Sequence, residues 1–543
     1  MTRTVAETIV DALALAGVTH AFAVPGESYL PVLDALHGQS AIRLVTCRHE
    51  AAAANMAEAS AKLGGRVGVC MVTRGPGATH AAIGLHTAQQ DSTPMLLLVG
   101  QVGTDMLGRE AFQEVDYSAV FGTIAKRVIV IAEPARTAEH MAAAVSCALS
   151  GRPGPVVVVL PEDRLMDVAD APAIAPAAIA APALATTAAA AIAQRLASAT
   201  RPLLLLGGPL WCEADCLAAT ALAERWGLPV VTSWRRKDRF DNAHPHYAGE
   251  LGLGANPALV ARAKSADLVL AIGARLGENM SQGYTLFGPA GAAPALVHLH
   301  PDPDALGRVW QPSLAAHCGI GEALAALVAL PGTASHADWV TEARADYVAW
   351  TQPTSVADGP NPASIVAHLS ASLPAETIFC NGAGNFAAWL HRFHHHRQLG
   401  TQLAPISGAM GYGVPAGIAA SILHPERQVV VLAGDGDFLM SGQELATAAH
   451  EGAKTLFIVL DNAQYGTIRM HQARDFPGRQ SGTRLTNPDF AAFARSFGLH
   501  AETVCTTEEF APALARSLGK AALIHVLTDP DEISPGRRLD AGL

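Results

Sequence analysis

The sequence predicts an α/β protein of three doubly wound domains, each with a parallel sheet, and three observations support that fold class. Each third of the 543-residue chain contains four short, β-branched or leucine-rich runs separated by longer helical patterns. These runs are apolar along their whole length, which is typical of parallel strands buried between two layers of helices. Two segments rich in turn residues, or in Pro and Ala, separate the thirds into units of ordinary domain size.

Changes in composition predict where each domain begins and ends. The first domain covers residues 1–168 and is followed by a Pro- and Ala-rich linker at 169–190. The central domain covers 191–332, and a second linker at 333–362 carries turn residues, among them the run ADGPNP. The third domain covers 363–543.

The predicted strands follow one another in the same way in each domain. An amphipathic helix with Thr4 as its candidate cap opens the first domain. The strands are expected at AFAVPG, RVGVCMV, MLLLVG and PVVVVL, then at PLLLLGG, LPVVTS, LVLAIGA and ALVHLH, and finally at TIFCNG, VVVLAGDG, TLFIVLDN and ALIHVL. Ligands of such sheets bind at the carboxyl ends of the strands, where several of these runs pass directly into Gly, Asp or Asn.

Composition excludes some classes of function. The chain has 37 Lys and Arg against 48 Asp and Glu, with a formal charge of -11, so nucleic acid is not expected as a partner. No apolar stretch is long enough for a membrane span, and the N-terminus lacks the apolar core of a signal peptide. Eight scattered cysteines without a C-x-x-C pair indicate reduced thiols. We expect a cytoplasmic protein without a membrane partner.

Two predicted strands of the third domain end in candidate metal ligands. VVVLAGDG ends at Gly434-Asp435-Gly436, and TLFIVLDN ends at Asp461-Asn462, which puts Asn462 27 positions after Asp435. That separation is one strand–helix–strand crossover, so a carboxylate and an amide oxygen would lie side by side at one sheet edge. Such oxygen ligands suit Mg²⁺ shared with a phosphate group, and glycines let a diphosphate approach the backbone. Each motif alone is also an ordinary turn.

With these motifs the sequence resembles the thiamine-diphosphate-dependent enzymes of the acetolactate synthase, pyruvate oxidase and pyruvate decarboxylase superfamily, and acetolactate synthase-like proteins most closely. The resemblance begins at VPGESYLPVLDAL and continues into the last domain. It implies pyrimidine-binding, central and diphosphate-binding domains in that order, with thiamine diphosphate and Mg²⁺ as cofactors. It makes Asp435, Asn462 and the backbone carbonyl of Gln464 the metal ligands. It also implies cofactor contacts from Asn385, Gly408, Met410, Gly434, Gly436, Asp437, Tyr465 and Gly466.

Two further motifs have roles that the resemblance implies. In SGAMGYGVPAG, Met410 would be the apolar wedge that bends the cofactor, and the carbonyl of Gly408 would accept its 4′-amino proton; taken alone, the run is a Gly-rich start of a helix. In TCRHEAAAANMAEA, Glu50 would donate a proton to the pyrimidine N1′ of a cofactor bound mainly by the other subunit. The helix dipole alone also favours Glu in a first helical turn. A site between two chains implies a homodimer or a homotetramer.

The resemblance also places residues of the first domain on the substrate side. Pro25 and Gly26, in VPGESYL, would contact the cofactor, and Glu27 follows where decarboxylases carry Asp or Ser. Gln113, Glu27 and His471 are candidate catalytic residues that handle a proton or an oxyanion. An exposed Glu27 without a role is the alternative.

Several positions depart from the acetolactate synthase pattern. RGPGATH has His80 where the family has Asn, and YGTIRMHQ has Met470 and His471 where the family has Gln and Trp. GARLGEN has Asn279 in place of the Arg that holds the acceptor's carboxylate. The loss of this bidentate anchor argues against a strict acetolactate synthase. FAD is the less favoured additional cofactor, because GELGLGANP lacks the spacing of a dinucleotide fingerprint.

The predicted function is thiamine-diphosphate- and Mg²⁺-dependent cleavage or formation of a C–C bond in a small 2-oxo acid, as decarboxylation alone or with carboligation. The alternatives are an FAD-linked oxidoreductase of the pyruvate oxidase type and a non-catalytic cofactor-binding paralogue. The sequence does not predict which 2-oxo acid or acceptor is used. A cluster of four histidines is expected on the solvated surface rather than at a metal; its members are His391, His394, His395 and His396.

Overall fold

In a computed structural model, which describes residues 3–169, 171–288 and 294–539, the chain folds into three α/β domains. Each domain contains a six-stranded sheet whose neighbouring strands are parallel. The predicted fold class is confirmed, and all twelve apolar runs contain a strand. The three sheets contain six further strands outside these runs, and they are the two edge strands of each sheet.

The N-terminal domain has the strand order β3-β2-β4-β5-β7-β6, and its first and last strands, β1 and β8, form a separate antiparallel pair. Thr4 and Glu7 form a reciprocal capping box at the start of the first helix, which confirms the predicted cap. The strands are β1 (Arg3–Thr4), β2 (His20–Ala23), β3 (Arg43–Thr46), β4 (Gly68–Val72), β5 (Met95–Gln101), β6 (Arg127–Val130), β7 (Pro155–Pro161) and β8 (Val168–Ala169). The helices are α1 (Val5–Leu15), α2 (Leu30–His37), α3 (Glu50–Gly64), α4 (Pro76–Asp91), α5 (Tyr117–Phe121) and α6 (Thr137–Leu149).

The central domain has the strand order β11-β10-β9-β12-β13-β14. Its strands are β9 (Pro202–Leu206), β10 (Val230–Ser233), β11 (Tyr247–Leu251), β12 (Leu268–Ile272), β13 (Ala295–His300) and β14 (Leu314–His317). Its helices are α7 (Thr186–Ser198), α8 (Glu213–Trp226), α9 (Pro257–Ser265) and α10 (Ile320–Val328). The segment expected as the second linker contains a further helix, α11 (Ala337–Trp350), which packs on this domain through buried Tyr347 and an Arg262–Asp346 ion pair of 2.6 Å.

The C-terminal domain has the order β16-β15-β17-β18-β20-β19, which is the N-terminal order repeated. Its sheet strands are β15 (Ile378–Asn381), β16 (Gln402–Leu403), β17 (Val429–Gly434), β18 (Thr455–Asp461), β19 (His500–Val504) and β20 (Ala522–Leu527); β21 (Glu532–Ser534) and β22 (Arg537–Arg538) form a hairpin. Its helices are α12 (Pro362–Ser372), α13 (Phe386–Phe393), α14 (Gly413–Leu423), α15 (Asp435–Phe438), α16 (Leu445–Glu451), α17 (Gly466–Asp475), α18 (Phe490–Ser496) and α19 (Thr507–Ser517).

A buried network of charges joins the three domains. Lys62 of α3 forms ion pairs with Glu58 (2.9 Å) and Asp91 (2.8 Å), and Arg236 of the central domain reaches Asp91 at 3.1 Å. From the C-terminal domain, Tyr412 donates to Glu58 at 2.6 Å. Because a buried charge without its partner is strongly unfavourable, these contacts favour one relative placement of the domains. In the described ranges, no helix combines the length and the apolar character needed to cross a membrane.

The four clustered histidines are not on the surface, so that expectation is wrong. His394 and His396 are buried, and the carbonyls of His391 and His394 accept hydrogen bonds from Lys237 Nζ at 2.7 and 2.6 Å. The tyrosine hydroxyl of α11 lies 2.9 Å from Nδ1 of His395. Packing of the central domain over this segment buries it, and a local pattern of polar residues contains no information about that contact.

This buried cluster predicts a loss of stability in mild acid. Burial lowers the pKa of His395 to about 4 and holds the pKa values of His394 and His396 well below their usual range. The unfolded chain binds these protons near pH 6.5, so the free energy of unfolding should fall as pH drops from about 6.5 to about 4, by up to ~1.4 kcal/mol per pH unit for each histidine. Urea unfolding at several pH values measures the slope.

A matched pair of variants tests the assignment. His395→Gln should reduce the acid slope, whereas His37→Gln, at an exposed position at the end of α2, should leave it unchanged. Equal slopes for the wild type and His395→Gln would show that His395 is not responsible.

Candidate active site

The carboxyl edge of the C-terminal sheet borders a cavity of about 260 Å³. β17 and β18 end there together, because neighbouring parallel strands present their carboxyl ends on the same side. All eleven residues singled out in this domain as cofactor or metal contacts line the cavity. They are Asn385, Gly408, Met410, Gly434, Asp435, Gly436, Asp437, Asn462, Gln464, Tyr465 and Gly466.

Asp435 and Asn462 follow directly after β17 and β18. In the sheet Gly434 pairs with Leu460, so the two candidate ligands stand at the ends of hydrogen-bonded neighbours. Burial raises the pKa of the Asp435 carboxyl to about 6. A cation would offset the cost of desolvating this carboxylate, and carboxylate, amide and carbonyl oxygens are the ligands that Mg²⁺ prefers. The donor set therefore fits the ion.

A chain of hydrogen bonds behind Asp435 was not anticipated from the sequence. Asn487 donates from Nδ2 to Asp435 Oδ2 at 2.7 Å and to Asp461 Oδ1 at 2.8 Å. Asp461 Oδ2 lies 2.9 Å from Nε2 of His525. These contacts orient the Asp435 carboxylate. Asn487 lies in an ordinary turn sequence and His525 in an apolar strand, so no motif marks either residue.

Asp437 holds the segment that carries Met410. Its Oδ1 accepts hydrogen bonds from the N–H groups of Gly411 (2.9 Å) and Ala383 (3.1 Å). Gly411 has a φ of 76°, which glycine adopts without strain. Burial raises the pKa of Asp437 to about 7, and its Oδ2 has no hydrogen-bond partner among the described residues. The Asp437 carboxyl thereby ties the turn around Met410 to the end of β15.

Other candidates of this domain differ in how firmly they are placed. The Asn385 N–H donates to Thr467 Oγ1, and the Thr467 hydroxyl donates to Asn385 Oδ1, both at 3.0 Å. Gly436 leaves room for the ring of Tyr465, since a Cβ there would lie 2.6 Å from a ring carbon. His471 is exposed on α17 and does not line the cavity.

The first-domain candidates meet at the carboxyl edge of the N-terminal sheet. Gly26 follows β2 and packs on Thr73 at the end of β4, where a Cβ would lie 2.4 Å from the threonine Cβ. Glu50 begins α3, and only 13% of its side chain is exposed. The carbonyl of Gln113 approaches Gly75, again leaving no room for a Cβ. The sheet thus brings together residues that lie far apart in the sequence, from Gly26 to Gln113.

Glu27 forms an ion pair at the same edge. Arg74 donates from Nη2 to Glu27 at 3.0 Å and from Nη1 to Glu162 at 2.6 Å. The guanidinium is buried, whereas the Glu27 side chain is 67% exposed. Pro25 is also exposed beside it. Arg74 therefore anchors Glu27 while its carboxylate still faces outward.

A single chain does not bring Glu50 to the C-terminal cavity. Among the described residues, the cavity lining comes from positions 358 to 533, with no contribution from the N-terminal domain. The nearest polar partner of the Glu50 carboxylate is His80, whose Nδ1 lies 2.8 Å from Oε2. The two halves of the candidate site are thus separate surfaces of one chain.

Comparison with known proteins identifies the domains that carry these two surfaces. The N-terminal TPP binding domain of thiamine pyrophosphate enzymes matches residues 3–120, the central domain matches 189–327 and the C-terminal TPP binding domain matches 382–526. The acetolactate synthase large subunit of Corynebacterium glutamicum is 31% identical, over 94% of this chain and 84% of its own length. The chain belongs to the thiamine pyrophosphate enzyme family.

Other members of the family are similar over almost their full length. The probable acetolactate synthase large subunit of Methanocaldococcus jannaschii is 31% identical, over 98% of this chain and 94% of its own. The large subunit of acetolactate synthase isozyme 2 of Escherichia coli is 30% identical, over 96% and 95%. The suspected relationship to acetolactate synthase-like proteins is confirmed.

A second, larger cavity of about 690 Å³, the central cavity, lies between the central domain of this thiamine pyrophosphate enzyme and parts of its N- and C-terminal domains. When its strands are numbered from one to six along the chain, the central domain has the strand order 3-2-1-4-5-6 of dinucleotide-binding sheets. The cavity lies where this order reverses, between Gly208 after β9 and Gly273 after β12. Asn279 lines it. Four arginines also line it, namely Arg152, Arg236, Arg275 and Arg308.

Proposed function

We propose that the chain is an acetolactate synthase-like enzyme that depends on thiamine diphosphate and Mg²⁺. It releases carbon dioxide from a 2-oxo acid, and the remaining fragment is either protonated or added to the carbonyl group of an acceptor. The observation that carries this proposal is the pair Asp435 and Asn462 at adjacent strand ends inside the C-terminal cavity. The full-length similarity to acetolactate synthase large subunits supports it.

The cavity residues fit the cofactor and its ion. When bound, thiamine diphosphate supplies a carbon nucleophile that accepts the electrons left by carbon dioxide. Asp435, Asn462 and the carbonyl of Gln464 would hold Mg²⁺, and Gly436 would let the backbone approach the diphosphate. Asp437 would act by fixing the turn that presents Met410 to the cofactor, because its carboxylate oxygen is already used by two backbone N–H groups.

A second copy of the chain completes the site. Glu50 is held in the N-terminal domain away from the cavity of its own chain, although the cofactor needs a carboxyl group at its pyrimidine end. We infer a homodimer, or a homotetramer of two such dimers, in which Glu50 of each subunit faces the cavity of the partner subunit. Sedimentation analysis of the purified protein tests this.

Substrate selection would fall to residues of the N-terminal sheet edge. Gln113 and the Arg74-anchored Glu27 face the same edge as Glu50 and would assist proton transfer or stabilise an oxyanion. Asn279 cannot provide the paired N–H donors of a guanidinium, so acceptors that lack a carboxylate should be favoured over 2-oxo acid acceptors. His471, exposed on α17, would contribute only through contacts with substrate or partner.

The test is turnover with a panel of substrates. The purified protein with thiamine diphosphate and Mg²⁺ is incubated with 2-oxo acids of different side chains, alone or with aldehydes as acceptors. We expect carbon dioxide release together with an aldehyde or a hydroxyketone, identified by mass spectrometry. A protein that failed to bind the cofactor in calorimetry, or bound it and released no carbon dioxide from any 2-oxo acid, would instead be a paralogue without catalysis.

FAD remains the less favoured additional cofactor, although the central cavity has a suitable size and position. Two of its arginines already form hydrogen bonds within the protein: Arg152 donates to Ser92 at 2.8 Å, and Arg275 donates to Gln90 at 2.9 Å. The absorption spectrum of the purified protein decides the question, because bound flavin colours the protein yellow. Flavin reduction upon addition of a 2-oxo acid would favour the pyruvate oxidase type of reaction.

A further inference from the structure

Glu50 has a histidine partner on the neighbouring helix. His80, in the second turn of α4, lies with Nδ1 2.8 Å from Glu50 Oε2. The other carboxylate oxygen, Oε1, faces Gly77, where a Cβ would lie 3.3 Å away. The carboxylate is therefore engaged by an imidazole on one oxygen, and the small glycine leaves its other oxygen accessible.

A second histidine fixes the ring of His80. The rings of His49 and His80 stack with centroids 4.6 Å apart and an angle of 27° between their planes. His49 Nδ1 accepts the N–H of Ala51 at 3.1 Å and so caps α3, which leaves that nitrogen without a proton. Burial and the nearby imidazole of His80 lower the pKa of His49. His49 is thus a neutral, rigid support for the His80 ring.

The remaining titratable groups around Glu50 do not exchange protons near neutral pH. Tyr29 and Cys70, from the elements beneath, feel the charge of Glu50, and burial raises the pKa of both side chains. In the described part of the chain, His80 is therefore the side chain in hydrogen-bond contact with the Glu50 carboxylate that can carry a proton to it.

We propose that His80 is a positioning residue that fixes the Glu50 carboxyl group and supplies its proton. The proposal rests on the proposed function, in which Glu50 donates a proton to the cofactor. The proton on Nδ1 of the His80 imidazolium moves to Oε2 of Glu50, which restores the carboxylic acid and leaves a neutral imidazole. The Glu50–His80 pair as a whole therefore takes up no proton from solvent in this step.

Proton uptake during cofactor binding tests the proposal without measuring turnover. Thiamine diphosphate with Mg²⁺ is titrated into the full-length protein in buffers of different ionisation enthalpy. The proton that Glu50 shares with the cofactor comes from the His80 imidazolium wherever that ring is charged, and from solvent wherever it is neutral. The net uptake in the wild type should be smaller in mildly acidic than in mildly alkaline buffer, where it approaches one proton, whereas His80→Gln should take up close to one proton in both.

Hydrogen–deuterium exchange at C2 of the bound cofactor provides an independent readout. His80→Gln and His80→Asn should exchange roughly tenfold more slowly than the wild type at the same cofactor occupancy, and the rate should lose its inflection in the neutral pH range. Uptake and exchange profiles of both variants that match the wild type would overturn the role of His80.

Glu50→Gln separates failure of the inference from failure of the proposed function. If Glu50→Gln abolishes proton uptake and fast exchange while the His80 variants behave like the wild type, only the inference is wrong. If Glu50→Gln also behaves like the wild type, Glu50 does not donate the proton and the proposed mechanism is wrong as well.

Discussion

Glu50→Gln should lower turnover of the best 2-oxo acid by about 10²–10⁴-fold, the range that one positioned acid–base group contributes. The amide keeps the size of the carboxyl group and can still accept a hydrogen bond from His80, but it cannot donate a proton to the cofactor as an acid does. Glu50 is the first residue of α3, and the helix cap is provided by His49. The fold should therefore be unaffected. Steady-state kinetics and the thermal midpoint measure the two effects.

Glu426→Gln is the matched control for this variant. Glu426 follows the end of α14, its side chain is 66% exposed, and it lines neither cavity. We expect full turnover from it. Unchanged turnover in Glu50→Gln would remove Glu50 from the chemistry and with it the need for a site shared between two subunits.

Asp435→Asn should weaken Mg²⁺-dependent binding of thiamine diphosphate by more than the ~10–100-fold that loss of a partner outside the metal shell typically costs. The neutral amide is a poorer ligand for Mg²⁺ than the carboxylate. Calorimetry with and without Mg²⁺ measures the change. The wild type should lose affinity when the metal is chelated, whereas the variant should show little further loss.

The same substitution should not destabilise the chain without cofactor. Burial raises the pKa of Asp435 to about 6, so the folded state disfavours the charged form at neutral pH, and removal of that charge should maintain or raise the urea midpoint. Asn487 can still donate to the new amide oxygen. A large fall in the urea midpoint would mean that Asp435 is a structural residue, and Asp475→Asn, at an exposed carboxylate of α17, serves as the control.

The strands that were predictable share one property. Runs such as VVVLAGDG and TLFIVLDN are buried on both faces, so their apolar character is continuous and independent of neighbours. The edge strands were harder to predict from the sequence, because an edge strand has a neighbouring strand on only one side. β19, with the sequence HAETV, has three polar residues among its five, and β16 has only two residues. α11 was missed because the turn residues on both sides of it suggested a linker.

Asp435 and Asn462 illustrate what the sequence by itself determined. The order of apolar strands and the glycines and polar residues at their ends are local features, and parallel pairing brings such ends to one edge whatever the rest of the chain does. Only the tertiary structure decided the environment of these residues. The support of Asp435 by Asn487, the pairing of Glu50 with His80 and the burial of His394 all join segments that are distant in sequence. Such contacts depend on how helices and domains pack, and local sequence patterns do not encode them.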